Sequence, residues 1–240
     1  MSDILRVLSQ ALARAESLGY VGKNPADARL VNRPAGTRAN FTMIDAKLGE
    51  KILETVRGED PWDVAAHLAL GLGLRREEVL GLTWADVEDD TVRVRQTLTY
   101  AGGELHFGPP KSDAGERDLP LPVFVARALK RHRAAQAEKL LAIGVVPELV
   151  VDNGIGEPWM PASFSTGWRR FAKAHGFEGI TFHTLRHGAA TLMLAGGVPD
   201  AVAITVMGHA DTRVLRRYQE VVDELKQDAA KRMDAVLGGV

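Results

Sequence analysis

The 240-residue chain contains no cysteine. That single absence excludes a disulfide scaffold, a thiolate zinc site, an iron–sulfur cluster and a cysteine nucleophile, and it fits a reducing, cytoplasmic setting. No apolar run approaches the ~20 residues that a membrane span requires, and Met1-Ser2-Asp3 does not open a secretory signal. An excess of one charge sign is also missing. Thirty Lys and Arg stand against 31 Asp and Glu, for a formal net charge of -1, so the whole-chain sum does not announce a polyanionic partner. With 45% hydrophobic and 25% charged residues, the chain is an ordinary globular protein with room for one large domain or two small ones. We find no internal repeat.

What is present is unevenly placed. Residues 77–90 carry Glu77, Glu78, Asp86, Glu88, Asp89 and Asp90 with no Lys or Arg. Residues 111–139 sum to +3, with Lys111, Arg117, Arg127, Lys130, Arg131, Arg133 and Lys139 outweighing four acids, and residues 169–187 sum to +3 through Arg169, Arg170, Lys173 and Arg186. A neutral chain can therefore still present a basic face.

Apolar periodicity predicts one amphipathic helix over Ile4 to Ala15, ended by Gly19-Tyr20, and then a Pro/Gly-containing linker to Gly36. We place a boundary there: 1–36 as a helix plus linker, 37–240 as the main domain. From Thr42 the pattern is mostly helical, over 43–56, 61–70, 123–141, 164–175, 185–195, 201–207 and 214–237. Between Asp90 and Pro120 the period changes to two, with strands expected at 91–98, 104–107 and 117–121. The expected fold class is α+β, mainly α, with a small three-stranded antiparallel sheet inserted among helices.

The densest set of reactive side chains is His183-Thr184-Leu185-Arg186-His187, followed by Gly208-His209 and Arg217-Tyr218. On a helix, His183, Arg186 and His187 share one face. With no acid inside the stretch, the set suits an anion: a guanidinium forks onto two phosphate oxygens and an imidazole donates to a third or moves a proton. The two histidines have zinc-helix spacing, but the glutamate of His-Glu-x-x-His is absent and Arg186 would crowd a dication. Gly71-Leu72-Gly73-Leu74-Arg75-Arg76 also fails as a dinucleotide fingerprint, because an arginine stands where the third glycine belongs.

Together these residues resemble the catalytic domain of the tyrosine recombinases, the phage integrase family. Leu70-Gly71-Leu72-Gly73-Leu74-Arg75-Arg76-Glu77-Glu78-Val79-Leu80-Gly81-Leu82-Thr83-Trp84-Ala85-Asp86-Val87 is similar to the family's first box. His183 to His187, Met207-Gly208-His209 and Arg217-Tyr218 are similar to the second, with the tyrosine nine positions after the histidine, as in the family. The family's hairpin lysine matches Lys111, ahead of Arg117-Asp118-Leu119-Pro120. Each box alone is short. Their order and spacing across residues 40 to about 225 carry the resemblance.

The resemblance implies Tyr218 as the nucleophile on a DNA phosphodiester, leaving a 3′-phosphotyrosyl enzyme and a free 5′-hydroxyl. Arg75 and Arg186 would hold the non-bridging oxygens, His209 would add a hydrogen bond, and Lys111 would protonate the leaving oxygen. His183 would assist proton transfer at the tyrosine, and Glu78 would orient neighbouring groups. Arg117, Arg169, Arg170 and Lys173 are expected to contact DNA. No metal, ATP or other cofactor is implied. The partners implied are double-stranded DNA, further copies of the chain in a tetrameric synapse, and accessory DNA-bending proteins, in the nucleoid. Family members also carry an N-terminal core-binding domain, of which residues 1–36 resemble only the final helix and linker, and Val214-Leu215 stands where many have two threonines. A DNA-binding module that no longer recombines and a type IB topoisomerase are the alternative readings.

Overall fold

Apolar residues at helical spacing form α1 (Ser2–Ser17), and the chain then doubles back on it. Asn24 fastens this return: its amide donates to the Ser9 carbonyl at 2.9 Å and its side-chain oxygen accepts from Ala26 N at 2.9 Å. The computed structural model describes residues 2–27 and 43–208 and divides the chain into two units, Met1–Phe41 and Thr42–Val240. Within the first unit Ile4, Val7 and Leu8 are exposed.

In the second unit, α2 (Ala46–Thr55) starts where the Asp45 carboxylate accepts from Leu48 N at 2.7 Å. The next helix, α3 (Trp62–Gly71), is buried from Asp63 through Leu70. A helix apolar on nearly every side belongs at the centre, and α3 packs against both α5 (Val123–Leu141) and α7 (Phe182–Ala195). Two short helices complete the frame of the site, α4 (Arg76–Gly81) and α8 (Asp200–Met207), and α6 (Pro161–Ala174) lies against α4 and α7. Phe182 at the start of α7 meets Phe164 and Trp168 of α6 edge to face, with ring centroids 5.1 and 5.9 Å apart. This aromatic contact fixes the end of α7 from which His183 projects.

The mainly helical class holds, and the sheet differs from expectation. Four strands form two separate antiparallel ladders: β1 (Thr91–Val94) with β4 (Arg117–Pro120), and β2 (Thr97–Ala101) with β3 (Glu104–Gly108). The expected single strand 91–98 breaks at Arg95-Gln96, where the Gln96 amide donates to the Gly81 carbonyl at 2.8 Å. That bond ties the chain to the end of α4 and turns it to a different partner strand. The expected helix 214–237 lies outside the described residues. Among the described residues no helix is long and apolar enough to cross a membrane.

Candidate active site

Glu78 organises the site. It is the third residue of α4, it is 1% exposed, and its carboxylate reaches back to accept from Arg75 N at 2.9 Å, capping the helix. Three guanidiniums gather around it. Arg75 donates to Oε1 at 2.7 Å, Arg117 donates to both oxygens at 3.2 and 3.0 Å, and Arg186 stands 3.8 Å from Oε2. Burial alone pushes the Glu78 carboxyl up, but the hydrogen bonds and charge of Arg117, followed by those of Arg75, more than offset this and hold it below the ordinary carboxylate value.

Backbone dipoles also receive these guanidiniums. Arg75 donates to the Gly208 carbonyl at 2.9 Å, and Arg117 donates to those of Val206 at 2.8 Å and Gly115 at 2.7 Å. Arg186, 2% exposed, donates to the carbonyls of Gly73 and Met207. Burial first, and the charge of Arg75 next, push the Arg186 guanidinium down to about 9, so it remains a cation at neutral pH. Two glycines permit this crowding. Gly73 has φ +66°, and a Cβ there would collide with the Met207 sulfur. Gly208 has φ +57°, and a Cβ there would lie 2.9 Å from both the Ala114 carbonyl and the Arg117 guanidinium.

The start of α4, Arg75-Arg76-Glu77, forms a ridge between two clefts. One, of about 570 Å³, runs past Thr97 to Tyr100 on β2 and is lined by Lys111 and Ser112. The other, of about 410 Å³, is lined by His183, Arg186, Ser165 and Arg169. Arg76 anchors the ridge to α6 by donating to Ser165 Oγ at 2.7 Å. His183 stands over His187, with ring centroids 4.2 Å apart. Partial desolvation, and then the charge of Arg186, push the His183 imidazole below its ordinary value, so it is neutral at pH 7.

The structure thus brings Arg75, Arg186 and Glu78 together, with His183 and Arg169 lining one adjacent cleft and Lys111 the other. Arg170 and Lys173 are exposed on α6 and line neither cleft; Lys173 pairs with Glu178 at 3.1 Å. His209 and Tyr218 lie outside the described residues. Arg117, expected on the surface, instead points inward and is 8% exposed. The strand period held the signal: Arg117 and Leu119 are both buried on one face of β4, while Asp118 and Pro120 face out. The carbonyls of Gly73, Val206, Met207 and Gly208 were missed as well, because backbone acceptors leave no mark in a residue pattern. Among the described residues no three His, Asp or Glu side chains converge as metal ligands.

Residues 44–224 match the phage integrase family. A tyrosine recombinase XerC-like protein of Caldanaerobacter subterraneus subsp. tengcongensis is 26% identical over 239 residues, covering 90% of this chain and 61% of that relative. The chain therefore spans about three fifths of that relative's length. Among solved structures, the Tn1549 transposon integrase in complex with transposon right end DNA aligns with a TM-score of 0.74 at 20% identity, covering 90% of this chain and 73% of that one. A lambda integrase tetramer bound to a Holliday junction gives 0.60 at 22% identity, covering 90% and 57%. Similarity at these identities bears on the fold.

Proposed function

We propose that this chain, which belongs to the phage integrase family, cleaves and rejoins DNA at specific sites through a 3′-phosphotyrosyl intermediate. The observation that carries the reading is the convergence of Arg75, Arg117 and Arg186 on the carboxylate of Glu78, beside clefts lined by His183 and Lys111. Three guanidiniums so gathered offer forked donors to an anion. A phosphodiester is such an anion, and its non-bridging oxygens gain charge in the transition state.

The Tyr218 oxygen forms the new bond to phosphorus while the bond to the 5′-oxygen breaks. A phenol is a weak nucleophile at neutral pH, and neutral His183 takes its proton. Lys111 gives a proton to the departing 5′-oxygen. Arg75 and Arg186 hold the non-bridging oxygens and His209 adds a donor. Religation reverses these steps with an incoming 5′-hydroxyl. The phosphotyrosyl bond conserves the energy of the broken linkage, so no step is assigned to a metal or nucleotide. Double-stranded DNA is the substrate, and strand exchange places four copies in one synapse, as the lambda integrase tetramer on a Holliday junction suggests. Accessory DNA-bending proteins would help shape that synapse. Arg169, Arg170 and Lys173 offer phosphate contacts along α6. We read residues 1–36 as the final helix and linker of a core-binding domain, supported by the exposed apolar face Ile4, Val7 and Leu8.

The test is a nicked suicide duplex carrying candidate core sites, scored as a covalent protein–DNA band on a denaturing gel. Wild type should form the band and Tyr218→Phe should not. Absence of the band across a panel of sites, or an unchanged band with Tyr218→Phe, overturns the proposal. Salt-dependent binding without any band would leave the DNA-binding module as the reading.

A further inference from the structure

We infer that Arg117 is a positioning residue that sets Lys111 against the arginine cluster. The inference rests on the strand-transfer reading above. Lys111 itself is exposed, in the segment joining β3 to β4. β3 pairs with β2 and β4 pairs with β1, so the two strands flanking this segment do not pair with each other. A lysine so placed, with four rotatable bonds and a solvated head, has no fixed position of its own. A general acid must lie within hydrogen-bond reach of the atom it protonates.

Arg117 supplies the missing constraint. Its Nη1 donates to the Gly115 carbonyl at 2.7 Å, its Nη1 and Nη2 grip the Glu78 carboxylate at 3.2 and 3.0 Å, and its Nε donates to the Val206 carbonyl at 2.8 Å. One planar group thus joins the Lys111 segment, the start of α4 and the end of α8. Gly115 carries the constraint onward. It donates to the Ser112 carbonyl at 2.8 Å, and it packs so closely on Pro110 that an added Cβ would collide with the proline ring. Lys111 lies between Pro110 and Ser112, the two residues that Gly115 touches. The fork geometry is essential, because a lysine at 117 would keep the charge but could not hold two carbonyls and a carboxylate together.

The test separates positioning from stability by changing the leaving group. Replacing the 5′-bridging oxygen of the scissile phosphate with sulfur gives a thiolate leaving group, whose conjugate acid has a pKa of about 8.5 and which departs without a proton. Rates of covalent-complex formation are measured at saturating protein, on oxygen and sulfur versions of a suicide duplex that the wild-type chain cleaves. Arg117→Lys should react about 30- to 100-fold slower than wild type on the oxygen duplex, the scale of a misplaced general acid, and within about threefold of wild type on the sulfur duplex. Gly115→Ala, which changes no charged group, should show the same signature. A wild-type rate for both variants on oxygen overturns the inference. So does an equal deficit on both duplexes, which would make the role of Arg117 a general structural one. If wild type forms no covalent complex on any duplex, the strand-transfer reading fails and this inference fails with it.

Discussion

Glu78 and Asp63 are both buried carboxylates in the first turn of a helix, and both attract cations. Asp63 accepts from Gly58 N at 3.0 Å, stands 3.0 Å from His67 Nδ1 and pairs with a single guanidinium, that of the half-exposed Arg131, at 3.2 Å. Burial pushes the Asp63 carboxyl up, yet hydrogen bonds from His67, Gly58 and Arg131 bring it down to about 2. Its charges close on themselves. Around Glu78, three guanidiniums gather on one carboxylate, and each also donates to a carbonyl oxygen, which carries no net charge. A balanced cluster acts as a structural clasp. A gathering of guanidiniums beside open clefts presents forked donors that suit an incoming anion.

The sharpest way to break this contrast is Arg75→Ala. Arg75 is the cluster arginine whose side chain is one-third exposed, so its loss should slow covalent-complex formation by about 100- to 1000-fold with only a small shift in thermal midpoint. Glu78→Gln should slow the same step and also destabilise the fold by about 3 kcal/mol, because it leaves buried guanidiniums without their counter-charge. Asp63→Asn should cost about 2 kcal/mol at neutral pH with no separate effect on cleavage rate. The lowered Asp63 value makes this contribution complete above the ordinary 3.8 and lost as pH falls through about 2, so acid unfolding curves of wild type and variant should converge over that window. For His183 the sign concerns activity. Its imidazole titrates below the ordinary histidine value, so the acid-side decline in cleavage should fall at lower pH than an unperturbed imidazole would give. The smallest effect is expected at Arg169→Ala, which should weaken DNA binding evenly across sequences and reduce the salt slope by about 1.

Long periodic segments were legible. The helix expected over 123–141 is α5, with the same ends, because nineteen residues of consistent pattern follow directly on Pro122. The six-residue α4 was not distinguished, since its defining feature is a glutamate reaching back to cap Arg75, and no hydrophobic period reports that. The two-ladder arrangement was hidden for a similar reason: Arg95-Gln96 continues the alternation, and only the tertiary bond to Gly81 shows the break. At the site, Arg75, Arg186, His183 and Lys111 were singled out by the resemblance of their motifs to the family, and the structure places each of them on a cleft wall. The inward turn of Arg117 was legible in principle from strand alternation but was outweighed by its charge. That Gly73 and Met207 would accept from Arg186 was not legible, because those contacts join residues 113 and 21 positions apart.

Among the described residues β2 pairs with β3 alone, which has a practical consequence. Their turn, Ala101 to Glu104, is exposed, and its two glycines adopt positive φ, with open space where a Cβ on either would lie. Extra residues inserted between Gly102 and Gly103 would lengthen a free tip without changing the register of the β1–β4 ladder or the anchoring of Lys111. That tip is the natural place to graft a fluorophore or an affinity tag.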